Sequence, residues 1–465
     1  MNSFAALQES DTPAAALSRQ RWNTNTTSAV SHELTAIIMA GYGNSLYPLT
    51  EESNLPKALL PVANRPMLWY PLQWCEKAGF GNVMVVCQTE AEDKIAAWLK
   101  YKYEGKIKVN LEAPSNAEET AGTADVLRIL KDKIKSDFVV LSTDQVMDMQ
   151  PYALLDFHRI HSPTVTSVYY TPVGDAAPKD TENMLYVGYD DQKKRLLYVK
   201  AEADVEDELE VRMSLLWKYP RLRVSTKLQD AHVYIFKRWV LDLIARNDKI
   251  SSIKGDLMPL LAKAQYQSLL VEKVGMAELT RTNSPPLLPT QQNTTHSLGN
   301  DYAGNPIKIS LLVYPKNDFC ARANTPASYA ELNRHLAKQN GETLGDARIA
   351  GSADVSLKAQ VGTDSLVGEH SKVDERTSLK RSIIGQHCVV GRNVKISNSI
   401  IMDRVVIEDG AKIEGCTVCT NVRIGSKAQL TNCEVGGGFV VEEGFQAKGE
   451  KLVDFRDMEM DSDSD

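Results

Sequence analysis

The segments SIIGQHCVVGRNVKISN (382–398), SIIMDRVVIEDGAKIEG (399–415), CTVCTNVRIGSKAQLTN (416–432) and CEVGGGFVVEEGFQAKG (433–449) follow one another and align without a gap. One column holds Ile384, Ile401, Val418 and Val435; a second holds Val390, Ile407, Ile424 and Val441; a third holds Ile396, Ile413, Leu430 and Ala447. At a hydrophobic content of 43%, filling all of these places with apolar residues has a chance of about 1 in 25,000 before the choice of phase, so the repeat is real. Asn398, Gly415, Asn432 and Gly449 share another column, and these residue types best tolerate the left-handed backbone of a sharp corner.

Upstream, Val355, Val361, Val367, Val373 and Leu379 recur every six residues. Each coil therefore has three short strands whose inward side chains stack on those of the neighbouring coils. The pattern predicts a β-solenoid of about five coils over 345–452. A face lined by Ile383 and Ile400 offers a surface for a partner. His370 and His387 are the histidines inside the coils, where a solvated surface role competes with a catalytic one of the acyltransferase kind.

In front of the solenoid, short β-branched runs alternate with helical segments. Leu34 to Met39, Asn82 to Cys87, Ile107 to Leu111, Asp137 to Leu141 and Val165 to Tyr170 read as buried strands. Pro66 to Ala78, Asp93 to Tyr101 and Thr123 to Leu130 read as the helices between them, the first opened by proline. That order predicts an α/β domain with a mixed, mostly parallel sheet covered on both faces. Ala231 to Phe236 extends it as a strand and Val240 to Ala245 as a short helix. The domain is placed at 32–320, with a Pro-containing exposed loop at about 280–300, and a helical connector at 321–344 contains the helix Pro326 to Ala337. Residues 1–31 read as a disordered arm and 453–465 as an acidic disordered tail.

A formal net charge of -7 gives no basic footprint for nucleic acid. The cysteines number seven, with no apolar leader ahead of them, which reads as free thiols in a cytosolic protein. Cys416 and Cys419 form a lone CxxC, read as small solenoid residues rather than a metal or redox site. No metal and no cofactor is expected.

The first strand runs into Ala40, Gly41, Tyr42, Gly43, Asn44, Ser45 and Leu46, and Lys57 follows in Pro56-Lys57. Glycines directly after a buried strand let backbone amides approach a phosphate, and the lysine supplies a cation. With Pro48-Leu49-Thr50, the run from Leu55 to Val62, and Asn64-Arg65-Pro66, this segment closely resembles the nucleotidyltransferases that make nucleoside diphosphate sugars. The resemblance covers about 34–275. It implies a Rossmann-like fold, base binding at Gly122-Thr123-Ala124, and magnesium at Asp144.

Several departures count against that chemistry. The family's loop carries Thr-Arg where Asn44-Ser45 stand, and loss of an arginine at a phosphoryl transition state costs about three to five decades in rate. Its Glu-Lys-Pro sugar-binding segment appears as Val199-Lys200-Ala201, and its Asn-Ala-Gly strand opening as Asp230-Ala231-His232. Asp256 is the candidate for a second metal carboxylate. Gly41, Gly43, Lys57, Gly122 and Asp144 are therefore read as a vestigial nucleotide site, which backbone geometry and packing alone can also explain.

The solenoid resembles the hexapeptide-repeat proteins, which implies left-handed winding. A pseudo-nucleotidyltransferase followed by a short solenoid resembles the gamma and epsilon subunits of eukaryotic translation initiation factor 2B. The end of the chain soon after the last coil, and Arg322-Ala323-Asn324-Thr325 followed by Tyr329 and Asn333-Arg334, favour the gamma branch. That resemblance implies a cytosolic, non-catalytic subunit. It would bind epsilon, support guanine nucleotide exchange on initiation factor 2, and assemble with alpha, beta and delta subunits. The competing expectation is an active mannose-1-phosphate guanylyltransferase.

Overall fold

The computed structural model describes residues 33–51, 54–114, 122–172, 184–205, 208–282, 307–314, 319–339, 348–362 and 364–453. The expected arm, most of the expected loop and all but the first residue of the acidic tail lie outside these residues. The loop's first residues are helical, because the helix Met276–Thr282 runs into them.

The α/β domain is built on one ten-stranded sheet. Its first half is parallel throughout: β1 (Leu34–Met39) lies between β2 (Asn82–Val86) and β4 (Asp137–Ser142), and β3 (Lys108–Glu112) is the edge beyond β2. On β1, Ala36 and Ile38 face one core while Ile37 and Met39 face the other, the period of two that burial on both faces requires. The second half mixes directions. The strand Gln229–Phe236 runs antiparallel to β4 and to Val165–Tyr170, and Ile309–Val313 returns parallel to the latter.

The predicted strands and helices fall within a few residues of the observed ones, with corrections at Asp93, whose helix starts at Thr89, and at Pro66. The first helix starts at Trp69, not Pro66. Arg65–Pro66 instead pairs with Pro61–Val62, and the amides of Met67 and Leu68 donate to Leu60 and Ala58, which holds this segment in a small hairpin.

Three parallel sheets of six strands each make the left-handed β-helix, one sheet per side. This is six coils, where the spacing suggested about five. The later coils advance 17 residues, as Leu366 pairing with Ile383 shows, whereas the first advances 18, from Asp354 to Lys372. The first coil holds Val355 and Val361 of the six-residue spacing. The predicted corner column is left-handed, with φ from 52° at Asn398 to 70° at Gly449. Two further corner columns are equally left-handed: His370, His387, Arg404, Asn421 and Gly438, and Arg376, Asn393, Gly410, Lys427 and Gly444. Their mixed residue types gave no signal in the sequence. His370 and His387 are exposed corner residues whose rings stack at 5.1 Å.

Just after the predicted corner, the side chains of Ser365, Ser382, Ser399 and Cys416 each accept the amide of the residue one coil later, ending at Cys433. Cys416 thus belongs to the solenoid core, whereas Cys419 is buried against the α/β domain. Burial raises the pKa of both thiols, that of Cys416 to about 11.

The two domains share a core. Leu366, Ile383, Ile400 and Met402 of the solenoid pack with Leu46, Leu49, Leu60, Val62 and Met67 of the first domain and with Tyr329, Leu332 and Leu336 of the connecting helix Pro326–Gln339. This corrects the partner-surface reading: Ile383 and Ile400 are each 3% exposed, because the chain's own first domain covers them. Polar contacts fix the register. Asn54 donates to Leu49 O at 2.6 Å and accepts from Thr420, Asn64 donates to Ile384 O, and Asn333 Oδ1 accepts the Ala63 amide.

Candidate functional site

The loop after β1 borders a cleft of 600 Å³ lined by Tyr42, Asn44, Tyr47 and Thr50. Gly43 takes φ 80° and caps a short 3-10 turn, Asn44–Leu46. The amides of Leu46, Tyr47 and Leu49 donate to carbonyls within the loop. Asn44 and Ser45 point to solvent, while Leu46 and Leu49 are fully buried in the interdomain core. The end of this loop thus anchors the solenoid. A side chain at Gly43 would meet Lys57 Cδ at 2.9 Å, which accounts for this glycine by packing. Gly41 is exposed with nothing close to its missing side chain.

Lys57 and Asp144 are brought together. Lys57 Nζ lies 2.8 Å from Asp144 Oδ2 and 3.0 Å from Asn324 Oδ1. Arg322, which was not among the candidate site residues, completes the group: its Nε donates to Asp144 Oδ1 at 3.1 Å and its Nη2 to Oδ2 at 2.8 Å. A two-pronged guanidinium contact of this kind is the strongest the side chain can offer a carboxylate. Burial by itself would raise the Asp144 carboxyl, but Arg322 and Lys57 outweigh it and hold the group well below the usual carboxylate range. Burial disfavours the Arg322 charge, and Asp144 more than restores it.

Next to this group lies a layer of buried polar residues. Asp230 accepts from the His232 amide at 2.8 Å and from the Tyr234 hydroxyl, yet burial prevails and raises its carboxyl. His232 has φ 52°, and burial, together with the positive charge of Arg322, pushes its imidazole well below the usual range. Val199, Lys200 and Ala201 line a cleft of 540 Å³ together with Lys254 and Tyr266.

Gly122 serves a different neighbour. Its missing side chain would lie 2.3 Å from the Ser251 carbonyl oxygen, and that oxygen also accepts the Ala124 amide. The helix Thr123–Ile129 is closed by Asp125, which accepts the Gly122 amide at 3.0 Å. Thr123 Oγ1 accepts the Ile253 amide, so this glycine-threonine pair docks a neighbouring loop. Asp256 is exposed and accepts the amides of Ser251 and Ser252 on Oδ2.

Magnesium does not fit this arrangement. Both Asp144 oxygens are taken by the chain's own cations, and among the described residues no group of three or more His, Cys, Asp or Glu side chains could hold a metal. A further cation about 4 Å from Lys57 or Arg322 would be repelled by about 4 kcal/mol per pair of unit charges at an effective dielectric of about 20, and a divalent ion by twice that.

Fold and site together define a nucleotidyltransferase-like domain, its Asp144 held in internal ion pairs, that shares a core with a left-handed β-helix. Comparison with known families agrees on both parts: "Nucleotidyl transferase" matches residues 35–180 and "EIF2B subunit epsilon LbH domain" matches residues 349–447. The chain is 42% identical to translation initiation factor eIF2B subunit gamma of Schizosaccharomyces pombe, over 93% of this chain and 92% of that one. It is 30% identical to the Dictyostelium discoideum protein of the same name, over 73% of this chain and 84% of that one. A mannose-1-phosphate guanyltransferase of Candida albicans is 32% identical over only 28% of this chain and 36% of its own. The chain belongs to the translation initiation factor eIF2B subunit gamma family.

Proposed function

We propose that this chain acts as the non-catalytic gamma subunit of the guanine nucleotide exchange factor for translation initiation factor 2. In this reading it works in the cytosol, binds and supports the catalytic epsilon subunit, and stands in a larger complex with alpha, beta and delta subunits. Initiation factor 2 is the substrate of that complex. The observation that carries the reading is the similarity to eIF2B subunit gamma along both domains, where the guanyltransferase similarity covers only a fraction of the chain. The ion pairs on Asp144 support it, because they occupy the carboxylate that the nucleotidyltransferase resemblance assigns to magnesium. Among the described residues no helix is long and apolar enough to cross a membrane.

Gly41, Gly43, Lys57, Gly122 and Asp144 are, on this account, a vestige of nucleotide binding kept for packing and charge pairing. With Ile383 and Ile400 buried, the solenoid offers a partner the adjacent face, where Val389, Val406 and Val440 are exposed. Purification from the native source with identification of stoichiometric partners tests the proposal. Recovery with the other four subunits is expected. A chain isolated alone that breaks down GDP-mannose in the presence of pyrophosphate would replace this reading with that of a working pyrophosphorylase.

A further inference from the structure

We infer that Arg322 is the resident counter-ion of Asp144: it takes the place of a divalent cation and turns the former metal-binding end of the sheet into a latch for the connecting helix. The inference stands on the geometry of this end and not on the identity of any partner.

Asp144 directly precedes the short strand Gln145–Met147, which pairs antiparallel with Cys320–Arg322, Arg322 opposite Gln145. This pairing delivers the guanidinium to the carboxylate with the backbone already fixed. The Ala323 amide adds a bond to the Asp144 carbonyl at 2.9 Å. Asn324 then takes a hydrogen bond from Lys57, and Thr325 and Ser328 exchange hydrogen bonds that close the first turn of the helix Pro326–Gln339. From Arg322 to Ser328 the chain thus runs from the carboxylate into the helix whose Tyr329, Leu332 and Leu336 seat the solenoid.

The charge balance explains why a metal is unnecessary. A carboxylate buried without compensation is costly, and the two protein cations supply more positive charge than Asp144 carries. The side chains are 8% exposed at Lys57, 0% at Asp144 and 15% at Arg322, so water screens these charges little. With Arg322 absent, Asp144 Oδ1 would lose its donor and the repulsion facing an incoming dication would fall.

Manganese, a paramagnetic probe for hard-cation sites, tests this on the full-length chain. Binding is read by electron paramagnetic resonance for wild type, Arg322→Met, Asp144→Asn and the Arg322→Met/Asp144→Asn double variant, with near-ultraviolet circular dichroism confirming the fold. The expectation is no Asp144-dependent site in wild type. Arg322→Met should gain roughly tenfold or more in manganese affinity, and the double variant should lose that gain. A wild-type site that Asp144→Asn abolishes overturns the inference, and so does a folded Arg322→Met chain that gains none. Arg322→Gln, which keeps a hydrogen-bond donor, replaces the methionine variant if that one does not fold. If neither folds, wild type against Asp144→Asn decides: equal binding upholds the inference and a lost site sinks it.

Discussion

Leu366, Ile383 and Ile400 occupy the outward column of one solenoid face, and Val389, Val406 and Val440 the outward column of the next. The first three are buried and the others exposed. In sequence the two columns look alike: each mixes apolar with polar residues, Thr417 and Glu434 in the first and Lys372 and Arg423 in the second, one place from an inward-facing position. What separates them is the first domain and the connecting helix, which cover one face and leave the other open. A repeat fixes where a side chain sits on its coil, and the neighbour in space fixes what that position means energetically.

The widest test of this contrast is Ile400→Asp. It places an unpaired charge in the interdomain core, and we expect a loss of about 4 kcal/mol or more together with separation of the domains to protease. Chemical denaturation and limited proteolysis would show it. A cost below about 1 kcal/mol would mean that the covered face is no more buried than the open one.

Asp144→Ala asks the same question of a polar contact. Leaving Lys57 and Arg322 without their partner should cost about 3–5 kcal/mol, read as a fall in the denaturation midpoint.

A third test uses pH. His158 Nδ1 lies 2.8 Å from Thr166 Oγ1, and burial, with Lys237 nearby, lowers the imidazole from 6.5 to about 4. The fold prefers the neutral ring, so stability is held above the unfolded value and lost as pH falls from 6.5 toward about 4. The full loss is of order 3 kcal/mol. Midpoints measured at neutral and acid pH for wild type and His158→Gln should converge in acid by that amount.

Gly122→Ala sharpens the site reading. A methyl group facing the Ser251 carbonyl should cost about 1–3 kcal/mol even in the absence of any ligand, which a thermal melt would register. The smallest effect is expected at Val406→Asp on the open face, below about 1 kcal/mol in the same denaturation assay used for Ile400→Asp.

Much of the architecture was legible in the chain itself. The columns of Ile384, Val390 and Ile396 and their equivalents name the core of every later coil, because each coil packs on its immediate neighbours and the repeat records that contact directly. The strand Leu34–Met39 was legible because burial on both faces demands a nearly continuous apolar run. The small-hairpin role of Arg65–Pro66 was not, since it depends on amides reaching back to Leu60 and Ala58. Corner residues such as Arg404 and Lys427 also escaped notice, because coil stacking imposes their left-handed backbone against their own preference.

The candidate site divides in the same way. Residue types alone pointed to Lys57 and Asp144 and showed that the loop lacks the arginine its resemblance calls for. They could not show Arg322 meeting Asp144, a contact between residues 178 positions apart. By itself, then, the sequence determined the coil, one of its corner columns, the parallel half-sheet and the chemical kinds of residue after the first strand. Only the tertiary structure decided that Ile383 and Ile400 are covered and that Asp144 is paired to an arginine. The physical reason is range: periodic patterns encode contacts between neighbours in the chain, whereas burial of a face and pairing of a charge are settled by segments that meet only once the chain has folded.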